Sequence, residues 1–226
     1  MKGMKNALLV SFVVATVNLF SGCENEEGHD SELINSTTEK VDTQSLKSIE
    51  TKFTTVDLSN LGEGLDIFDR KNNPQYELSD PADWVSISGQ EKITVDGKGP
   101  FGTEEGIATI VLKDDVEKTT VTYSLNDKYD RGTQHTPKEV EGIDDTHVFV
   151  TIGHGYGTVS NGGDLYVLNL ETNKAYPVTL TKQKGDVLDI RSNPDGSFTY
   201  FEYVYDDENF EEGHYEEGRI ILEQNK

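Results

Sequence analysis

From Phe53 onward the chain is a series of short apolar runs separated by turn residues, the pattern of strands and not of helices. The runs are Phe53 to Leu58, Trp84 to Ser88, Lys92 to Asp96, Ile107 to Leu112, Thr119 to Ser124, His147 to Ile152, Leu165 to Asn169, Tyr176 to Thr181, Val187 to Arg191, Phe198 to Tyr205 and Arg219 to Leu222. Val, Ile, Thr, Tyr and Phe dominate them, the side chains that pack best on a pleated surface. In Phe198 to Tyr205 one parity carries Phe198, Tyr200, Glu202 and Val204 and the other Thr199, Phe201, Tyr203 and Tyr205, so both faces have aromatic cover. Asp96-Gly97, Asn161-Gly162-Gly163, Lys184-Gly185-Asp186 and Asn193-Pro194-Asp195-Gly196 supply hairpin turns between runs. No window shows a 3.6-residue period with caps, and no segment repeats at a fixed interval. The pattern predicts one all-β domain over residues 53–226, an antiparallel sandwich or meander.

The first 52 residues read differently. Lys2 and Lys5 precede an apolar run from Ala7 to Phe20, the layout of a secretory signal, too short for a spanning helix of about 20 residues. Its ending, Leu19-Phe20-Ser21-Gly22-Cys23, resembles the lipobox of bacterial lipoproteins, which implies removal of residues 1–22 and acylation of Cys23. Cys23 is the only cysteine, so no intramolecular disulfide forms, and a lipid thioether disposes of a thiol that an oxidising compartment would otherwise attack. Each buried methylene of the attached chains adds about 0.8 kcal/mol of membrane affinity. Residues 23–52 are polar, with Glu24, Glu26, Glu27, Asp30 and Glu32 at their start, and have too few large apolar residues to offset ordering; they read as a disordered tether. Acidic residues directly behind the cysteine resemble a surface-export signal of lipoproteins in one group of Gram-negative bacteria, which implies the outer leaflet of the outer membrane.

Charge narrows the partners. The chain carries 20 Lys plus Arg against 42 Asp plus Glu, a net charge of −22, and Lys2 and Lys5 leave with the signal. A surface this negative repels phosphate backbones, which sets nucleic acid aside. No Gly-x-Ser-x-Gly elbow, Walker-type loop or His-Glu-x-x-His pair occurs, so nothing supports an enzyme. The acidic segment Asp206-Asp207-Glu208, Glu211-Glu212, Glu216-Glu217 offers oxygen ligands but lacks the ligand register and turn glycine of an EF-hand, and reads as a solvated hairpin tip.

Five histidines are unevenly placed. His29 lies in the tether and His214 in the acidic segment, leaving His135, His147 and His154. His154 stands in Thr151-Ile152-Gly153-His154-Gly155-Tyr156-Gly157, after an apolar strand and among three glycines. Such glycines admit a close approach of backbone or of a flat ligand, or they merely turn the chain and leave His154 in water.

Several segments in order resemble the HmuY-like lipoproteins. They are Asp83-Trp84 with Ile93-Thr94-Val95-Asp96-Gly97-Lys98-Gly99-Pro100-Phe101-Gly102, then Leu165 to Asn169, Asn173 to Leu180, and Gly196 to Tyr205, with His154-Gly155 ahead of the Leu165 strand. The resemblance implies an all-β surface lipoprotein that binds haem and passes it to an outer-membrane receptor. It makes His154 one axial ligand and His135, upstream in a loop, the other, with His147 in reserve. Haem propionates then need nearby cations, and Arg131 and Lys138 flank His135. Two further classes stay open: a surface module that binds protein or glycan, and a hydrolase.

Overall fold

The computed structural model describes residues 51–79, 82–99, 104–130, 132–156, 162–179, 185–209 and 211–223. Cys23, the predicted signal and nearly all of the predicted tether lie outside these residues, as does Arg131. Thirteen strands are described: β1 (Lys52–Val56), β2 (Phe68–Asn72), β3 (Val85–Ser86), β4 (Glu91–Asp96), β5 (Thr109–Asp114), β6 (Thr119–Leu125), β7 (His135–Gly142), β8 (His147–His154), β9 (Asp164–Asn169), β10 (Lys174–Thr179), β11 (Gly185–Ser192), β12 (Phe198–Tyr205) and β13 (Gly213–Leu222). One short helix, α1 (Asp127–Asp130), follows β6, and its Tyr129 N–H is capped by Asn126 Oδ1 at 3.1 Å. Among the described residues no helix is long and apolar enough to cross a membrane.

The all-β expectation holds, with three sheets where a sandwich has two. The orders are β1-β13-β12-β11, β10-β9-β8-β7 and β2-β6-β5-β4-β3. Every pairing is antiparallel except β1 with β13, where Lys52 stands opposite Gly218 and Val56 opposite Leu222. The β7–β10 sheet takes part in two cores. One joins Val148, Val150, Ile152, Tyr166 and Leu168 to Phe68, Ile93, Ile110 and Tyr123 of the five-stranded sheet. The other joins Phe149, Leu165 and Val167 to Val187, Ile190, Phe198, Tyr200 and Ile220 of the β1-β13-β12-β11 sheet. That arrangement explains why Val148 to Ile152 and Leu165 to Leu168 are apolar or buried at nearly every position: a strand covered on both faces has no reason to alternate.

Four expectations are corrected here. β2 was not predicted because Asp69 to Asn72 are all exposed on an edge strand, leaving no periodic signal. β7 carries Pro137 at a bulge between Pro137 and Glu139, and it is an edge strand, the setting in which proline is tolerated. Gly185 and Asp186, expected in a turn, open β11. The acidic hairpin tip is confined to residues 206–212, where Asp207 accepts from the N–H groups of Asn209, Glu211 and Glu212; Glu216 and Glu217 belong to β13.

Candidate functional site

His135 and His154 are register partners at the end of the β7–β8 ladder. The Gly155 N–H donates to the Gln134 carbonyl at 2.7 Å, which makes the two histidines a non-hydrogen-bonded pair, the type that brings side chains closest. Their rings stack, with centroids 4.7 Å apart and planes 24° from parallel. His154 shares the parity of Val148, Val150 and Ile152, so the pair continues the face that packs on the five-stranded sheet, at the point where that core opens to solvent. Tyr129 from α1 closes one side: its ring centroid lies 5.8 Å from that of His135 and its hydroxyl 3.0 Å from the Tyr166 hydroxyl. Burial raises both phenols above their ordinary range, so they remain neutral.

Thr133 orients the imidazoles. His154 Nδ1 lies 3.3 Å from the Thr133 carbonyl oxygen, which only accepts, so Nδ1 is the donor in this contact. His135 Nδ1 meets the hydroxyl of the same residue. Both Nδ1 atoms therefore face Thr133. The sequence marks neither Thr133 nor Tyr129 as a site residue, because a threonine two positions before a histidine and a tyrosine in a short helix carry no chemical signature.

The flanking glycines serve backbone packing. A Cβ on Gly153 would stand 1.9 Å from the Gly162 carbonyl oxygen, and one on Gly155 would stand 2.6 Å from the Gly106 carbonyl oxygen. Close approach applies at Gly153 and Gly155, where what approaches is the chain itself, and His154 is exposed to water as the other reading expected.

The other sequence candidates are elsewhere. His147 begins β8, seven residues from His154 and so about 23 Å away along the strand. Its Nδ1 contacts Asp144 at 3.0 Å and its Nε2 lies 2.9 Å from Asn169 Nδ2. Lys138 is buried in the β7 bulge and not displayed beside His135. Among the described residues no group of three or more His, Cys, Asp or Glu side chains is placed to hold a metal ion. Axial ligation of a haem by two histidines needs them on opposite sides of the iron, with about 2 Å from each nitrogen to the metal and ring centroids about 6 Å apart along that axis. Stacked rings with centroids 4.7 Å apart are arranged differently.

No curated protein matches the chain. A crystal structure assigned as a conserved lipoprotein from Clostridium novyi is similar to it, with a TM-score of 0.65 and 27% identity, over 72% of this chain and 100% of that one. A family model described as a domain of unknown function (DUF4652) matches residues 24–222. That match overturns the HmuY-like resemblance. The segments behind the resemblance are strands β4, β9, β10 and β12 with their glycine turns, and such strand-and-turn sequences recur in unrelated antiparallel sheets because the same pleat and turn physics select them. Matched over 199 of its 226 residues, the chain belongs to the DUF4652 family.

Proposed function

We propose that this protein is a lipoprotein, held at a membrane through Cys23, whose β domain is a binding module for a divalent transition-metal ion or its complex. His135 and His154 are the neighbouring protein ligands. The observation that carries the reading is the adjacent pair of imidazoles with both Nδ1 atoms turned to Thr133. Metal-ligating histidines commonly give their second nitrogen to a carbonyl or a hydroxyl in this way, which fixes the ring and strengthens the ligand. Two protein ligands leave the remaining coordination positions to water or to groups the metal brings with it, which suits exchangeable capture better than a structural site.

The anchor is supported by the leader ending at Cys23 and by the description of the Clostridium novyi relative as a lipoprotein. The outer-membrane placement gains nothing from that relative, and handover to an outer-membrane receptor rested on the HmuY-like resemblance. Haem is a poorer fit than a divalent ion because the paired rings stack at 4.7 Å, closer than axial ligation sets them.

Calorimetric titration of the full chain in detergent with Zn²⁺ tests the proposal, with His135→Ala and His154→Ala beside it. One saturable site in the parent and its loss in both variants is the expected result, with affinity falling as pH drops because protons compete for the same nitrogens. Unchanged Zn²⁺ binding in the variants would overturn it. In a parallel haemin titration, a Soret shift that depends on His154 without Zn²⁺ binding would replace the divalent ion by haem.

A further inference from the structure

The aromatic cover on both faces of β12 is only half used by the two cores. Phe198 and Tyr200 pack inward with Ile190 of β11 and Ile220 of β13. By the alternation of a strand, Phe201 and Tyr203 point the other way. That outer side of the β1-β13-β12-β11 sheet also carries Tyr215 and Ile221 of β13 and Phe53 of β1, and none of these side chains belongs to either core. Phe53 is 69% exposed, Tyr215 66% and Ile221 44%. A single exposed apolar residue is ordinary, but a group of them on one face of one sheet is the kind of patch that marks an interaction surface. Tyr203 is already held in place: its ring centroid lies 4.9 Å from that of Tyr205 and 4.9 Å from that of Tyr215, edge-on to both. A fixed ring loses little freedom when a partner covers it.

The order of charges on this face identifies the partner. Along β13 the outward residues are Tyr215, Glu217, Arg219 and Ile221. That order, apolar, negative, positive, apolar, is complementary to itself when a second copy runs the opposite way: Ile221 then meets Tyr215, and Arg219 meets Glu217. Beside it on β12 stand Tyr203, Phe201 and Thr199, opposite Tyr215, Glu217 and Arg219. On the flanks Phe53 is opposite Arg219, and Arg191 of β11 pairs with Asp189 of its own chain. Arg219 also holds Asp195, and its Nε donates to Ser197 Oγ at 3.0 Å, but a guanidinium has five N–H donors and can take a further carboxylate. Two chains of net charge −22 repel each other in general, whereas this face sets cation against anion. Over the eight residues of β12 and four strands it measures about 27 Å by about 19 Å, or about 500 Å². Two such faces together cover about 1,000 Å², the lower end for a specific interface and the size of a reversible one.

We infer that the outer face of this sheet is a homodimer interface, in which two copies stack sheet on sheet about a two-fold axis with their β13 strands antiparallel across it. The axis passes between the Arg219 and Glu217 rows, so each arginine of one copy faces a glutamate of the other. Copies confined to one membrane through Cys23 meet at a higher effective concentration than in solution, so a weak interface suffices there. The interface is independent of the histidine pair and stands whether or not that pair binds metal.

The test is sedimentation equilibrium of the full chain in density-matched detergent, at concentrations up to the order of 0.1 mM, which an interface of this size requires. The parent is expected to show a reversible equilibrium of monomer and dimer. Tyr203→Ser, Glu217→Arg and Arg219→Glu should each weaken it about tenfold or more. An equimolar mixture of Glu217→Arg and Arg219→Glu chains should recover the affinity of the parent, because each reversed charge then faces its opposite in the other copy. Damage confined to one chain would persist in that mixture. A parent that stays monomeric would overturn the proposal and leave the face to a partner of another kind. A dimer unchanged by all three substitutions, or a mixture that recovers nothing, would overturn it as well. Should Arg219→Glu fail to fold for want of its bonds to Asp195 and Ser197, Glu217→Arg and Tyr203→Ser decide between them.

Discussion

Replacing Glu139 by glutamine should remove a pH dependence that the wild-type fold carries. Glu139 lies on β7 opposite Thr151, and burial raises its carboxyl from 4.5 to about 8, with Asp189 of β11 adding charge repulsion and a shared hydrogen bond, against the Ile190 backbone bond. Its Oε2 and the Thr151 Oγ1 are both buried without a hydrogen-bond partner. The folded state therefore binds a proton that the unfolded chain gives up between pH 4.5 and about 8, and stability falls as pH rises through that window. At about 1.4 kcal/mol per unit the window spans close to 5 kcal/mol, and the exposed Arg191 beside Asp189 reduces this, so about 2–4 kcal/mol is expected. Glutamine keeps the shape and the neutral state but has no proton to lose. Urea unfolding of wild type and Glu139→Gln at pH 5, 6, 7, 8 and 9 makes the comparison, with other titrating groups cancelling in the difference. The two proteins should be close in stability at pH 5 and diverge to about 2–4 kcal/mol in favour of the variant at pH 9. Parallel curves over the whole range would refute the reasoning.

Three further substitutions probe the frame. Gly153→Ala drives a methyl group into the Gly162 carbonyl, backbone against backbone, and should cost about 3 kcal/mol or more, or prevent folding, as read by urea midpoint. Lys52→Met strips the cation from buried Glu202 and from Glu216; because Lys52 is half exposed, a loss of about 1–2 kcal/mol is expected in urea unfolding, with the loss smaller in acid, as pH falls through the range of the Glu216 carboxyl that Lys52 holds below its ordinary value. Tyr123→Phe removes a fully buried hydroxyl that donates to the Leu170 carbonyl at 3.0 Å and accepts from Arg70 Nε at 3.3 Å, and should cost about 1–2 kcal/mol at unchanged m-value.

The strands that face a core were legible wherever their side chains had to be apolar. Phe198 to Tyr205 was read with its bounds correct, because Phe198, Tyr200 and Glu202 point inward and Thr199, Phe201 and Tyr203 do not. Of the edge strands, β2 and β7 were not: four of the five residues of β2 meet water, so its pairing with β6 is a backbone fact that leaves no side-chain pattern. The division into three sheets was equally hidden, since it depends on β1 returning to lie parallel to β13, a contact across nearly the whole domain. At the candidate site the sequence singled out His154 through its glycines and His135 through a resemblance that the family match has replaced. What it lacked was the register: His135 and His154 are 19 positions apart, and only the β7 bulge and the β7–β8 hairpin place them ring on ring. Lys138 was read as a cation near His135 because it lies three positions further along the chain; at the β7 bulge it is buried.

The most direct test of the central claim is electron paramagnetic resonance of the full chain with one equivalent of Cu²⁺, the divalent ion that imidazole pairs hold most strongly. The account predicts a spectrum with two nitrogen ligands from the protein, reduced to one in either His135→Ala or His154→Ala. A Cu²⁺ spectrum identical in the wild type and both variants would contradict it.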